Sequence, residues 1–449
     1  MEKIIPLKLK NLAKELKGKL YIVGGAVRDF IAGLRRSGRT DWDICAPVAA
    51  EEVALNAKKL GFEVIAEYKN TGTIKLACAG EEYEFTSFRT DSYKRGEHRP
   101  FEVKFTDDIR LDALRRDFKC NAVYYDVAAN EFVDPLGGIA DIKNRVLNTV
   151  TDSKKVFSED GLRLMRLARQ AAQTGFKPSE ECLEGAKLNS ALIRDVAAER
   201  VYTELDYILH ADEKYGIEYA QYEGLKILHA AGVLKEILPE LALGDGMPQR
   251  EDFHKYDVLE HSLRCVKYAH SSIRLAALLH DVGKPYCYIN TGKYTAHEEE
   301  GAKIAEKICR RLKVSNSLTR TTVALVRTHM YDINLNAREN KIRKFIVDNY
   351  AIFGGILLLK QADYSACRDD LSVAPVILKW QKIKEDMENK GLPVTLNKLA
   401  VRGDELIFSG ISPDEVGLTL KKLQLECIYG NLKNEKAALI ERAVKGGGK

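Results

Sequence analysis

"KLYIVGGAVRDFIAGL", Lys19–Leu34, followed at Asp41–Pro47 by "DWDICAP", decides how this chain is read. An apolar run stops at paired glycines, and an apolar pattern of helical period begins after them. The reading is strand, turn, helix, then a second strand. Glycines at such a junction let backbone N–H groups approach an anion, and the helix N-terminus adds partial positive charge. Gly24 and Gly25 occupy the turn, and Arg28 falls in the first helical turn, within reach of a phosphate. Alone, this junction is common. Asp41 and Asp43 add weight, because residues two apart on a strand share a face and their carboxylates can converge on one hard cation such as Mg²⁺. Glu84, in "YEFTSF", lies on another predicted strand and offers a third oxygen. An isolated D-x-D is usually a solvated turn; beside the glycines it predicts a phosphate and metal site with Asp41, Asp43 and Glu84 as its catalytic carboxylates.

A chain of 449 residues, 45% hydrophobic, suffices for roughly three or four domains. The net charge of +5 is mild and permits a nucleic-acid partner if the basic residues cluster. Nine scattered cysteines form no C-x-x-C pair, so neither a zinc knuckle nor a disulfide framework is suggested. Cys265, Cys287 and Cys309 read as reduced residues of a cytosolic protein. "MEKIIPLKLKNLAKELKGK" reads as an amphipathic helix, not a signal peptide, and no apolar run reaches spanning length. A soluble, cytoplasmic protein with no membrane partner is expected; its oligomeric state stays open.

Strands and helices alternate up to about residue 150. "FEVIAEY", "GTIKLACAG" and "EEYEFTSFR" read as strands, and "CNAVYYDVAANEFVDPLGG" as a hairpin. From Asp160 the pattern is helical, in "GLRLMRLARQAAQTGF", "AAERVYTELDYILH" and "GLKILHAAGVLKEIL". "ALGDGMPQREDF", around Asp245, is the linker candidate. A second helical block carries six of the nine histidines, between His254 and His329, and a lysine-bearing tail follows Asp363.

"GGAVRDF…DWDI", with "RRDFKCNA" at Arg115–Ala122 and "FSEDGLRLMRLARQAAQTGF" at Phe157–Phe176, resembles the class II tRNA nucleotidyltransferases and bacterial poly(A) polymerases. These belong to the superfamily typified by DNA polymerase beta. The resemblance continues through "AAERVYTEL", "GLKILHAAGVLKEILPEL" and "VRGDELIFSGISPDEVG", so it spans nearly the whole chain. It implies an α+β fold: a polymerase-beta-like head of mixed sheet and helices, then all-α neck, HD and tail domains. The implied divisions are 1–150 for the catalytic head, 151–244 for a neck that reads the base and binds RNA, 245–370 for the HD domain and 371–449 for a tRNA-binding tail.

The resemblance also implies residue roles. Asp41 and Asp43 would hold Mg²⁺. Arg115, Arg116, Asp117 and Asn121 would hold the ribose and triphosphate, and Arg166 and Arg169 would join the nucleotide site. The family usually reads Arg-Arg-Asp-Phe-Thr-Ile-Asn-Ala, where this chain has Lys119 and Cys120; that swap is expected to alter packing near the ribose and not the chemistry. The base-reading motif falls on Glu159, Asp160 and Arg163. An ionised aspartate only accepts hydrogen bonds and an arginine only donates them. Cytosine and adenine both present an amino donor beside a ring-nitrogen acceptor, whereas uracil and guanine present a carbonyl where Asp160 needs a donor. The pair therefore admits CTP and ATP. An i, i+3 ion pair capping a helix is the plain alternative, compatible with the first.

"EHSLRCVKYA…IRLAALLHDVGKP…AHEEEGA…VRTHMYD…KQADYSA" resembles the HD phosphohydrolase superfamily. The implied ligands are His261, His280, Asp281 and Asp363, for a divalent transition metal or Mg²⁺. His297 and His329 would line the phosphate site or bind a second metal, and Lys284 would neutralise a phosphate. The expected function is template-independent addition or repair of the 3′-terminal CCA of tRNA from CTP and ATP, with release of pyrophosphate. A second phosphatase or 2′,3′-cyclic phosphodiesterase activity is expected of the HD half. The alternatives are an A-adding enzyme or poly(A) polymerase and, from another class, a phosphohydrolase with a relic RNA-binding head.

Overall fold

Alternation in "EEYEFTS" is realised as a strand, Glu81–Ser87, with Tyr83, Phe85 and Ser87 buried and Glu82 and Glu84 exposed. It is β5 of a seven-stranded mixed sheet, seen in a computed structural model that describes residues 1–92 and 101–446. Its partners are β1 (Tyr21–Val23), β2 (Trp42–Ala46), β3 (Glu63–Tyr68), β4 (Thr73–Cys78), β8 (Tyr124–Asp126) and β9 (Glu131–Val133). The order is β3-β4-β5-β2-β1-β8-β9, and only β2 and β5 run parallel. A separate ribbon pairs β6 (Arg89–Ser92) with β7 (Glu102–Phe105).

Five helices accompany the sheet: α1 (Leu7–Glu15), α2 (Gly25–Ala32), α3 (Ala50–Lys59), α4 (Ile109–Leu114) and α5 (Gly138–Asn144). The expected single N-terminal helix is divided. Pro6 has no N–H to donate, so a 3₁₀ turn, Glu2–Ile4, precedes it and α1 starts after it. Val23, Cys45, Phe88 and Tyr124 pack into one apolar cluster with Ala113, Val150 and Val156.

The helical region starts earlier than Asp160. Asp152 accepts the Lys155 N–H at 2.9 Å and caps α6 (Ser153–Glu159). There follow α7 (Leu162–Thr174), α8 (Glu180–Asn189), α9 (Ala198–Leu209), α10 (Ala211–Tyr215), α11 (Ala220–Ala230), α12 (Leu234–Ile237) and α13 (Pro239–Ala242). "GLKILHAAGVLKEIL" becomes two helices because Gly232, at φ 70°, ends the first with a left-handed residue.

Two compact units make up the described chain: Met1–Leu243 with Ile308–Val314, and Gly244–Lys307 with Ser315–Lys449. The second contains α14 (Val258–Tyr268), α15 (Arg274–Leu279), α16 (Gly283–Thr291), α17 (His297–Arg311, in part), α18 (Asn316–Thr328), α19 (Glu339–Asp348) and α20 (Phe353–Arg368). After these come α21 (Pro375–Asn389), α22 (Gly403–Phe408), α23 (Val416–Ile428) and α24 (Lys436–Gly446). Leu399, Leu406, Leu423, Cys427 and Leu439 give the C-terminal helices their own core. All nine cysteines are free. Among the described residues no helix is long and apolar enough to cross a membrane.

Candidate active sites

Strand register assembles the first site. Asp43 pairs with Val23 on one side and with Glu84 on the other, so β1 brings the glycine turn and β5 the second carboxylate to the same place. Gly24 takes φ 76° and ψ −141°, a region essentially restricted to glycine. A Cβ there would stand 2.8 Å from Asp43 Oδ2, so only a bare backbone fits against that carboxylate. Burial, followed by the neighbouring Glu84 charge, pushes the Asp43 carboxyl up to about 6. A divalent cation would offset both penalties, and oxygen donors suit Mg²⁺, so this carboxylate set fits the expected metal. Asp41 lies just before β2 and is held by Arg36 at 2.6 Å. Gly24→Ala is expected to displace the Asp43 carboxylate and cut the rate of nucleotide addition by about 10²-fold, the usual cost of a misplacement near 1 Å. Single-turnover extension measures it, with a thermal melt to confirm folding.

Asp41 and Asp43 open onto a cavity of about 380 Å³ whose other walls are largely guanidinium groups. Three come from one face of α7, where Arg163, Arg166 and Arg169 recur every three residues, while Leu164, Leu167, Ala168 and Ala171 are buried in the core. Arg166 meets Asp117 Oδ2 at 2.5 Å and Arg169 meets Glu204 at 2.6 Å. Asp117 Oδ1 accepts the Phe118 N–H at 2.9 Å and the Asn121 amide at 3.2 Å. Burial would raise the Asp117 carboxyl, but the Arg166 charge, the hydrogen bonds from Arg166 and Asn121 and the Arg163 charge together outweigh it and hold it well below the usual range. Asp117 thus orients Asn121 and Arg166. Cys120 is fully buried, its sulfur 3.8 Å from Asn121 Oδ1.

Asp160 Oδ1 caps the Leu162 N–H at 2.9 Å, and no described residue donates to its Oδ2. Arg163 bonds Val156 O at 3.0 Å, Arg115 O at 2.7 Å and Glu159 at 2.8 Å. Arg28 departs from expectation. It lines the cavity, but its five N–H groups are engaged, by Asp29 (2.9 and 2.6 Å), Asn121 (2.8 Å), Gln170 (2.5 Å) and Tyr215 (3.2 Å). As arranged here it ties elements together and presents no N–H to a phosphate.

Three residues went unnoticed in the sequence. Asp112, wholly buried on α4, bonds Arg115 at 2.7 Å, Arg116 at 3.0 Å and the Tyr124 hydroxyl at 2.7 Å. Burial would raise its carboxyl, yet Arg116 and Arg115 hold it down to about 2. It is the counter-ion that aims both arginines, and i, i+3 and i, i+4 spacing was the available signal. Arg200 and Lys214 also line the cavity. Burial, with Arg36, Arg28 and Arg169 nearby, lowers the Lys214 ammonium to about 8. "DEKYG" reads as a solvated turn and carried no such signal.

The second site lies within the second unit. Asp257 caps α14 by accepting the Glu260 N–H at 2.7 Å, one turn before His261. α15 is buried throughout, as a helix apolar nearly all round must be, and delivers His280 and Asp281 into the interior. Gly283 lets α16 approach the start of α17: a Cβ there would come 2.1 Å from His297 O.

His280, His297 and His329 each turn Nδ1 to a backbone carbonyl, Ala277 at 2.8 Å, Tyr294 at 2.8 Å and Val326 at 2.7 Å. A carbonyl only accepts, so each Nδ1 carries the proton and each Nε2 presents a lone pair inward. His297 and His329 bring these Nε2 atoms within 3.2 Å of each other, as do His261 and His280. Ring nitrogens that close must share a proton or a cation between them. Asp281 faces both pairs: Oδ2 is 3.2 Å from His280, and Oδ1 is 3.1 Å from His297. Asp363 Oδ1 completes the first group, 3.0 Å from His261. Burial notwithstanding, His280 and Lys284 hold Asp281 well below the usual carboxylate range, and the His261 bond does the same for Asp363. The donor atoms of His261, His280 and Asp363 lie within 4.8 Å of one another, as do those of Asp281, His297 and His329, so these residues fit two cations. Lys284, expected at a phosphate, stands 2.6 Å from Asp281 Oδ2 and 2.7 Å from Gln249.

A head with oxygen donors for a hard cation and guanidiniums for a polyphosphate is that of a nucleotidyl-transferring enzyme, joined here to a His/Asp metal domain. Comparison with known families agrees. Residues 20–148 match the poly A polymerase head domain, 175–243 the probable RNA and SrmB-binding site of polymerase A, and 258–349 the HD domain. The chain is 32% identical over 327 residues to a multifunctional CCA protein of Xanthomonas campestris, covering 70% of this chain and 75% of that one. It is 30% identical over 445 residues to an A-adding tRNA nucleotidyltransferase of Deinococcus radiodurans, covering 94% of each. The chain belongs to the tRNA nucleotidyltransferase and poly(A) polymerase family. In fold it is similar to the Bacillus stearothermophilus CCA-adding enzyme in complex with CTP, at TM-score 0.69 and 22% identity over 99% of this chain and 98% of that one. The Thermotoga maritima CCA-adding enzyme complexed with tRNA gives TM-score 0.60 at 16% identity, over 98% and 94%.

Proposed function

We propose that the protein adds or repairs the 3′-terminal CCA of tRNA, joining the 3′-hydroxyl oxygen to the α-phosphorus of CTP or ATP. The bond to the β-phosphate oxygen breaks, and pyrophosphate leaves. Asp160 and Arg163 line the same cavity as Asp41 and Asp43, and that shared lining supports this reading, with the first pair as base reader and the second at the reacting phosphate. Asp41, Asp43 and Glu84 would hold Mg²⁺, which when bound activates the hydroxyl and stabilises charge on the leaving group. Arg115 and Arg116, aimed by Asp112, neutralise the triphosphate. Asn121, oriented by Asp117, meets the ribose, while Arg166 and Arg169 add positive charge along the same wall. The head takes 1–150 and the neck 151–244; the HD domain takes 245–370, and the tail, 371–449, grips the tRNA.

The HD half is assigned a metal-dependent phosphohydrolase activity on a phosphomonoester or 2′,3′-cyclic phosphate of RNA. The facing histidine Nε2 pairs across Asp281 support it. His261, His280, Asp281 and Asp363 would hold the first cation and His297 and His329, with Asp281, the second; imidazole with carboxylate suits Mn²⁺, Fe²⁺, Co²⁺ or Ni²⁺, with Mg²⁺ the harder alternative.

Labelled CTP and ATP, supplied separately to tRNA ending at the discriminator base, at C or at CC, test the head. Incorporation of both, in order, is expected. The D. radiodurans relative gives the opposite outcome its meaning: ATP added only after CC would make this an A-adding enzyme. Asp160→Ala and Arg163→Ala are expected to relax base choice more than they weaken triphosphate binding. A site that hydrogen-bonds a substrate edge can discriminate by about 10⁴-fold. Incorporation ratios for CTP, ATP, UTP and GTP read this, and unchanged ratios would place base recognition elsewhere.

A further inference from the structure

His261 differs from the other three imidazoles of the second unit's site: its Nδ1 is buried and donates to no carbonyl. Beside it lie two residues outside the HD pattern. Cys367 follows Asp363 by one turn of α20, and His254 precedes α14. Donor atoms of His254, His261 and Cys367 lie within 4.8 Å of one another, and His254 packs edge-on against the His261 ring. Cys367 Sγ stands 3.6 Å from His254 Nδ1. A tetrahedral cation with a metal–sulfur bond of about 2.3 Å and a metal–nitrogen bond of about 2.05 Å separates its sulfur and nitrogen ligands by about 3.6 Å. An S–H···N hydrogen bond would occupy the same distance, so the spacing alone admits either. Cys367 and His254 both line a cavity of about 570 Å³, which gives an ion access and leaves room for a water ligand.

We propose that His254, Cys367 and a nitrogen of His261 form a third cation position, with a nitrogen and sulfur donor set that takes a borderline-soft divalent ion, Zn²⁺ above all, in preference to Mg²⁺. Three protein ligands and one open position are the composition of a reactive zinc site, not of a closed structural one. Binding converts the Cys367 thiol to thiolate and, where His261 Nε2 already holds the first cation, also frees the His261 Nδ1 lone pair; each displaced proton passes to solvent. The proposal does not rest on the phosphohydrolase reading, because its readout is spectroscopic.

The full-length chain is stripped with chelator and titrated with Co²⁺ in excess Mg²⁺. Near-ultraviolet absorption reports sulfur-to-cobalt charge transfer, and elemental analysis counts bound metal. Wild type is expected to show the band, and Cys367→Ser to lose it together with about one equivalent of cobalt. Cys265→Ser is the control, since Cys265 lies against His280 but outside the three-residue group, and it should keep the band. His329→Ala, which removes a donor of the Asp281–His297–His329 group, should keep it too. Circular dichroism of each variant establishes that it folds. No band in wild type, a band that survives Cys367→Ser, or one that vanishes in a folded Cys265→Ser would overturn the third position. A band without any phosphoester hydrolysis would leave it standing and remove only the hydrolase reading.

Discussion

Asp43→Ala is expected to lower nucleotide addition by at least about 10³-fold while leaving tRNA affinity nearly unchanged. The loss follows from what the carboxylate does. It pairs in register with Glu84 and lies half-buried under the Gly24 backbone. Lewis-acid stabilisation of a transferring phosphate contributes several kcal/mol, and each 1.36 kcal/mol is tenfold in rate. Asp41→Ala should give a similar loss, and it also releases Arg36 from its 2.6 Å ion pair. Extension of labelled tRNA gives the rate and gel shift gives the affinity. Wild-type-like extension by purified Asp43→Ala would remove the metal assignment from this sheet.

The double variant His280→Ala/Asp281→Ala is expected to lose metal-dependent phosphoester hydrolysis and to keep nucleotide addition. Asp281 stands 3.2 Å from His280 and 3.1 Å from His297, so its removal strips a ligand from both cation positions at once. Even a partner that only orients a ligand typically costs 10–100-fold when removed, so loss of two ligands should cost at least about 10²-fold. Both groups are buried, and folding must be verified by circular dichroism before rates are compared. Metal content measured alongside should fall. Should the wild-type protein, reloaded in turn with Mn²⁺, Ni²⁺, Co²⁺ and Mg²⁺, hydrolyse neither a phosphomonoester nor a cyclic phosphate, the HD half would be structural.

What the sequence displayed was whatever repeats with a local period. Two-residue alternation marked β5, whereas Arg166 and Arg169 of α7 came only with the family resemblance. The glycine turn marked the approach to Asp43, although only the register of three strands turns that approach into a site. Cooperation over long separations left no such trace. Arg28 looked like a phosphate ligand because it follows the glycines; its partners Asn121, Gln170 and Tyr215 lie 93, 142 and 187 residues away. Asp112 and Lys214 went unnoticed, since burial depends on neighbours that periodicity does not name. Which nitrogen of His297 and His329 faces inward depends on the carbonyls of Tyr294 and Val326, which the sequence does not display. Cys367 drew no notice in the sequence, since His254 stands 113 residues from it.

The Arg28 network also orders events during synthesis. Its guanidinium is made 187 residues before the Tyr215 hydroxyl that engages its last N–H. At about 5–20 residues per second, that interval is roughly 10–40 s. Through it, the head can pair its strands and bring Asp43 beside Glu84, yet Arg28 and Asp29 must stay hydrated because the residues that bury them have not emerged. Arg166, Arg169 and Lys214 arrive in the same late segment. The growing chain therefore carries its carboxylates before it has a nucleotide cavity, and a chain cut short ahead of residue 160 would hold Asp41, Asp43 and Glu84 without the arginine wall of α7.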